Sequence, residues 1–246
     1  MDIAGKRVLI TGAGSGIGRT VARQFAERGA AEIIIVDRLA ESAGETVDIV
    51  RRHGASARAE AVDVADAAAL ESLFSDEQTG ALDIVFNNAG IITGEPRFPD
   101  NSIARIQQVV AVNLTAVLIG TQFAAHNMRR NSRRGAIINT ASNVAISGGR
   151  NDPVYVGTKA GVLMFTRSCH DLAEQHGIRV NAVLPSITDT PMLKATGGGG
   201  TPAKWQQEAM SKVRISRPEE IGNAVFRLVE DESRYCDFEL VENLKS

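Results

Sequence analysis

Short, continuously apolar runs alternate along the chain with longer segments whose apolar residues return every three or four positions. The runs are "RVLIT" (7–11), "EIIIVD" (32–37), "ASARAEAVDV" (55–64), "DIVFNNA" (83–89), "GAIINTAS" (135–142) and "IRVNAVLP" (178–185). Several have no polar alternation, which suits strands covered on both faces, as in a parallel sheet. Between them lie helix-length segments such as "GIGRTVARQFAERG" (16–29), ended by Gly29. The alternation predicts an α/β, doubly wound Rossmann fold: a parallel sheet of six to seven strands with helices on both faces. "FELVEN" (238–243) is left to supply the last strand. No repeat or interdomain linker interrupts the pattern, so residues 1–246 are expected to form one domain.

Composition narrows the partners. Of 246 residues, 43% are apolar and 23% charged, ordinary values for a globular chain, and one core can be buried at this length. The net charge of −2 gives no reason to expect nucleic acid or a membrane as partner. Cys169 and Cys236 lie far apart and show no metal-ligand spacing, so no metal is expected. The N-terminus runs straight into a strand without a leader pattern. The apolar stretch "VVAVNLTAVLIG" (109–120) reads as too short for a bilayer and carries Asn113 and Thr115. A reducing, cytoplasmic setting is the expectation.

The first strand leads into Gly12, Ser15, Gly16, Ile17 and Gly18, and a helix follows. A pyrophosphate needs backbone approach without Cβ atoms and helix N–H groups aimed at it. The spacing is G-x-x-x-G-x-G, not the usual G-x-G-x-x-G, and by itself also reads as a flexible turn. The second strand ends at Asp37, about 20 residues on, where a carboxylate reaches the adenosine ribose diol. That carboxylate repels a 2′-phosphate, so NAD is expected over NADP, although Arg38 follows it.

Taken in order, "TGAGSGIG" (11–18), "NNAG" (87–90), Asn113, Ser142 and "YVGTK" (155–159) resemble the short-chain dehydrogenase/reductase family, in its compact single-domain type. The likeness runs over nearly the whole chain. It implies an oxidoreductase that moves a hydride between NAD(H) and a secondary alcohol or ketone. Asn113, Ser142, Tyr155 and Lys159 would be the catalytic tetrad. Tyr155 would be base in oxidation and acid in reduction, its pKa lowered from about 10 by Lys159 and oxidised nicotinamide. Lys159 would also hold the nicotinamide ribose, Ser142 the substrate oxygen, and Asn113 a water that relays the proton. Asp63 and Val64 would border the adenine, and Asn88 and Gly90 the cofactor cleft, with Asn87 structural. Pro185, Thr188 and Thr190 would meet the nicotinamide end. An NAD(H)-binding sensor or scaffold with little turnover is the alternative reading.

Three positions depart from the family pattern. Ser186 stands where Gly follows Pro, and would be strained if the backbone there needs a positive φ. The segment before "RPEEI" is short, and Cys236-Asp237 replaces a Thr-Gly turn near the C-terminus. The implied assembly is a homodimer or homotetramer. The substrate lid falls at about 190–215, where Met192, Leu193, Trp205 and Met210 offer apolar contacts or simply pack the lid down. Arg150, Asn151 and Asp152 precede the tyrosine, and Arg150 could meet a carboxylate. "DPVYVGTKAG" points weakly to a hydrophobic secondary alcohol.

Overall fold

The computed structural model describes residues 1–149, 152–194, 196 and 200–243. Its strands are β1 (Arg7–Thr11), β2 (Glu32–Asp37), β3 (Ser56–Ala61), β4 (Ile84–Asn87), β5 (Gly135–Thr140), β6 (Ile178–Pro185) and β7 (Phe238–Val241). They form one sheet in the order β3-β2-β1-β4-β5-β6-β7, and every neighbouring pair is parallel. All six apolar runs are strands, and "FELV" is the seventh. Three strands end earlier than their apolar runs. Residues 62–64, 88–89 and 141–142 are instead loops at the carboxyl ends of β3, β4 and β5.

The helices are α1 (Gly16–Glu27), α2 (Ala40–Arg52), α3 (Ala67–Ser75), α4 (Ile103–Val110), α5 (Ala116–Arg130), α6 (Val144–Ser147), α7 (Pro153–Arg167), α8 (His170–His176), α9 (Pro191–Lys194), α10 (Lys204–Met210) and α11 (Pro218–Glu230). Alternate residues of one strand serve opposite faces. Val8, Ile10, Ile33 and Ile35 pack with α1, α2 and α11. Leu9, Ile34 and Val36 pack with α3 and α5 on the other side. Both faces are therefore covered, which is why these strands carry no polar alternation. Burial of this surface, at about 25 cal/mol per Å² of apolar area, is what holds the layers together. Strand order reverses between β1 and β4, and the crevice beyond their carboxyl ends is where such a sheet binds ligands.

Two expectations change. The apolar stretch around 109–120 is part of one long helix: α4 and α5 are joined by a wider, π-helical turn over Ala111–Thr115. Ile103–Arg130 has 28 residues, contains an 18-residue window of mean hydropathy 1.5, and is long and apolar enough to cross a membrane. In this fold its Val112, Val117, Ala124 and Met128 are buried in the core clusters that include sheet residues. The second change is at Ser186. Among the described residues, the non-glycine positions with positive φ are Ser132 and Cys236, so Ser186 is unstrained. Its N–H donates to Val241 O at 3.1 Å, which ties the loop after β6 to β7.

Candidate active site

The glycine loop is folded against the end of β4. Thr11 Oγ1 accepts the N–H groups of Asn88 and Ala89 at 3.0 and 3.1 Å, and Asn88 Nδ2 donates to Thr11 O at 3.0 Å. A Cβ on Gly12, whose φ is 62°, would lie 2.7 Å from Ala89 Cα. One on Gly18 would strike the Gly12 carbonyl and sit 2.8 Å from Asn88 Nδ2. Only glycine permits this closeness. Asn88 is thus a brace between the two loops. Ser15, exposed, caps α1 in an extended conformation, and Ile17 packs on the core.

At the other end of the loop, Asp37 Oδ2 accepts Gly14 N–H at 2.9 Å and Oδ1 accepts Leu39 N–H at 3.1 Å. Its carboxylate is half-buried, and Arg38 beside it is exposed. Sequence reading missed Arg19, which braces the loop onto α2. It donates to Thr46 Oγ1 at 3.0 Å and Ser42 O at 3.2 Å, pairs with Glu45, and meets Gly14 O. Its place directly after Gly18 is the only sequence signal. Asp63 is exposed and its Oδ1 accepts Ala65 N–H, while Val64 is buried in the core cluster. Thr190 lies against Gly16, at 3.3 Å from a Cβ placed there, so the loop after β6 reaches the glycine loop. Thr188 is buried and bridges Ser216. Asn243, also missed, grips that loop: it accepts Ile187 N–H and donates to Ile187 O, both at 2.8 Å.

The four tetrad positions converge next to Gly90. A Cβ on Gly90 would be 3.5 Å from both Asn113 Oδ1 and Lys159 Nζ. Asn113 sits in the wide turn, fully buried, with its amide paired to Ile91: Oδ1 accepts N–H and Nδ2 donates to O, both at 2.8 Å. Ser142 Oγ is at the end of β5, 3.4 Å from Pro185 O. Asn87 is buried and joined to Asn139 at 2.9 Å, a tie between strands, as expected. Lys159 is 2% exposed, donates to Thr140 O at 2.7 Å, and lies 5.7 Å from the Tyr155 ring centre.

Electrostatics differs from the expectation for Tyr155. The residue is half-buried. Burial pushes the phenol up to about 12; the hydrogen bond with Ser142 works downward and the Asp152 carboxylate upward. Burial likewise holds Lys159 down at about 8. In the protein alone, loss of water outweighs the attraction of the ammonium, so the phenol stays protonated at neutral pH. Asp152 caps α7 by accepting Tyr155 N–H at 3.0 Å, with Pro153 at the first helical position. The Asp-Pro pair is a helix-start signal in the sequence.

The cleft wall is the loop 91–94. Arg105 holds it by donating to Thr93 O at 2.9 Å and to Ile92 O. In the segment after β6 Leu193 is buried, Met192 is exposed, and the Arg97 guanidinium is 5.9 Å from the Trp205 ring. Arg150 and Asn151 lie outside the described residues. The groups present fit a nicotinamide dinucleotide. A Cβ-free loop at a helix start suits its pyrophosphate, Asp37 a ribose diol, and the buried Lys159 a second ribose.

Comparison with known proteins agrees with this geometry. The family model for short chain dehydrogenases matches residues 6–198. The cis-4-hydroxycyclohexanecarboxylate dehydrogenase of Sinomonas cyclohexanicum is 34% identical over 234 residues, covering 92% of this chain and 90% of that protein. The cyclohexanol dehydrogenase of an Acinetobacter species is 31% identical, covering 94% and 90%. A candidate 2-deoxy-d-gluconate 3-dehydrogenase from Agrobacterium tumefaciens, solved with bound NADP, superposes with a TM-score of 0.85 at 29% identity, covering 98% and 97%. With its parallel sheet, its glycine loop and its Ser–Tyr–Lys cluster in place, the chain belongs to the short-chain dehydrogenase family of NAD(P)-linked oxidoreductases.

Proposed function

We propose that the protein is an NAD(H)-dependent oxidoreductase that interconverts a cyclic secondary alcohol and its ketone. The observation that carries this reading is the clustering of Ser142, Tyr155 and Lys159, with Lys159 Nζ against Gly90. The cyclic substrate is suggested by the two curated relatives, whose names specify ring alcohols. Asp37 favours NAD because its half-buried carboxylate would face a 2′-phosphate at close range. The NADP found in the Agrobacterium structure is a property of that protein.

In reduction, Tyr155 gives its phenolic proton to the ketone oxygen, which Ser142 also holds by a hydrogen bond. The phenolate left behind is favoured by Ser142 and the Lys159 ammonium. In oxidation the phenolate accepts the hydroxyl proton. The dinucleotide supplies the hydride donor or acceptor. Lys159 would hold the nicotinamide ribose with donors not used by Thr140. Asn113 commits its side-chain amide to Ile91 and Thr158, so a relay water there would be held by main-chain carbonyls of the wide turn. Residues 1–246 act as one nucleotide-binding unit with 190–215 as its lid, working as a homodimer or homotetramer in the cytoplasm.

The test is turnover of purified protein over cyclic alcohols and ketones with NAD(H) and NADP(H), alongside Tyr155→Phe. That variant is expected to lose at least about 1000-fold in kcat, within the range general acid–base groups supply, with NAD affinity nearly unchanged. Near-parental turnover in Tyr155→Phe would overturn the assignment, and tighter NADP(H) binding would overturn the cofactor preference.

A further inference from the structure

Asp152 is the side chain that the tetrad does not account for. Oδ1 accepts Tyr155 N–H at 3.0 Å and meets the Thr93 hydroxyl, and Oδ2 accepts Thr93 N–H at 2.8 Å. It therefore joins the start of α7 to the loop 91–94. That same loop is pinned by Asn113 at Ile91 and by Arg105 at Ile92 and Thr93. Three accepted hydrogen bonds hold this half-buried carboxylate in place.

Its position has a second consequence. Tyr155 occupies the first turn of α7, where the free N–H groups and the macrodipole would favour a phenolate. A carboxylate at the cap takes up one of those N–H groups and puts negative charge at the start of the tyrosine's helix, where it acts on the phenol in the upward direction. Among the described residues, the groups bearing on the phenol are Ser142 from the end of β5, Asp152, and Lys159 one turn along α7.

We infer that Asp152 is a positioning residue for proton transfer, which locks the tyrosine's helix to the cleft wall and biases the phenol toward proton donation. The inference rests on Tyr155 being the proton-transfer group. A neutral capping residue would hold the helix as well, since Ser and Asn cap as strongly as Asp. Only the carboxylate opposes the helix start and the Lys159 ammonium; burial is the larger upward influence on the phenol, and the Asp152 carboxylate adds to it in the same direction.

The experiment separates charge from capping and does not depend on turnover. The chain has two tyrosines, and Tyr235 is on the surface against His170. In a Tyr235→Phe background, ultraviolet absorbance follows ionisation of Tyr155 alone. Asp152→Asn and Asp152→Ser are each expected to lower its midpoint by about one pH unit. The pH at which alcohol oxidation rises should move down by the same amount. Thr93→Val keeps the carboxylate and removes one of its donors, and should not lower the midpoint. Unchanged midpoints in folded Asp152→Asn and Asp152→Ser would reduce Asp152 to a cap. A drop in Thr93→Val as large as in Asp152→Asn would show that loop packing, not charge, sets the phenol, and either result overturns the inference. If neither Asp152 variant folds, the Thr93→Val midpoint decides, and it must equal or exceed that of the background. A shifted midpoint with active Tyr155→Phe would sink the functional reading but leave the coupling intact.

Discussion

Replacing Lys159 by Met should make the protein more stable while removing its activity. The side chain is 2% exposed, and burial holds its ammonium down from 10.5 to about 8. At about 1.4 kcal/mol per pH unit, keeping it charged costs the folded state about 3 kcal/mol. Methionine fills similar space without charge, but it leaves Thr140 O without the donor it has at 2.7 Å. Thr140 Oγ1 is already unpaired, so the orphaned carbonyl should take back about 1–2 kcal/mol. The net gain is about 1–2 kcal/mol at pH 7, or a rise in Tm of roughly 2–8 °C for a chain of this size. The pH dependence identifies the cause. Below pH 8 lysine is protonated in both states and the full penalty applies. Between about 8 and 10.5 the unfolded chain binds more protons than the folded one, so parental stability rises with pH. Above 10.5 both states are neutral and the penalty is gone. Thermal melts of Lys159→Met and parent from pH 7 to pH 11 should show an advantage that shrinks through that interval and reverses. A variant less stable than the parent at pH 7, or a difference that does not vary with pH, would refute the reasoning.

Two further perturbations probe the cofactor groove. Asp37→Ala removes a charge-assisted acceptor worth about 1.5–3 kcal/mol and should weaken NAD binding roughly 10- to 100-fold while NADP binding gains, as read by calorimetric titration; an undiminished preference for NAD would show that Asp37 does not set it. Asn243→Ala leaves Ile187 N–H and O without their 2.8 Å partner, so the loop carrying Thr188 and Thr190 should loosen. The expected result is a several-fold higher KM for the dinucleotide, with the pH profile of kcat unmoved; a changed profile with unchanged KM would contradict the assignment.

Elements whose signal is local were legible. β1, β2 and β6 end where their apolar runs end, because burial on both faces demands an unbroken run. The other strands stop short where the chain leaves the sheet to build the site, and hydropathy does not register that exit. The glycine loop and Tyr155–Lys159 were legible because close approach and helical spacing restrict residue type. The apolar stretch 109–120 reads as too short for a bilayer because polar residues flank it and Asn113 and Thr115 lie within it, yet the helix runs on through them from 103 to 130. Their polar atoms are satisfied through Ile91 and a wide turn, which only the folded chain reveals. Arg19, Arg105 and Asn243 were missed for one reason. Each bonds main-chain oxygens or N–H groups distant in sequence or on another loop, and that leaves no periodicity to detect.

The shift of Tyr155 shows most clearly what residue types omit. A lysine one turn away from a tyrosine suggests an acidified phenol, and the sign of that pairwise effect is correct. The same fold that brings the two together also strips water from both, and burial acts on the two charges in the same unfavourable sense. It raises the phenol to about 12 and lowers the ammonium to about 8. The surviving state at neutral pH is a neutral phenol beside a cation, which is a proton donor next to the group that steadies the anion it leaves. On the proposed reading, the protein's own groups are therefore set for giving a proton to a ketone oxygen. Running the other way at neutral pH requires more positive charge at the phenol than Lys159 provides, or less negative charge than Asp152 contributes. On that reading the buried Lys159 sits where its ammonium, bonded to Thr140 O and 5.7 Å from the Tyr155 ring centre, would steady the phenolate at an expected cost in stability.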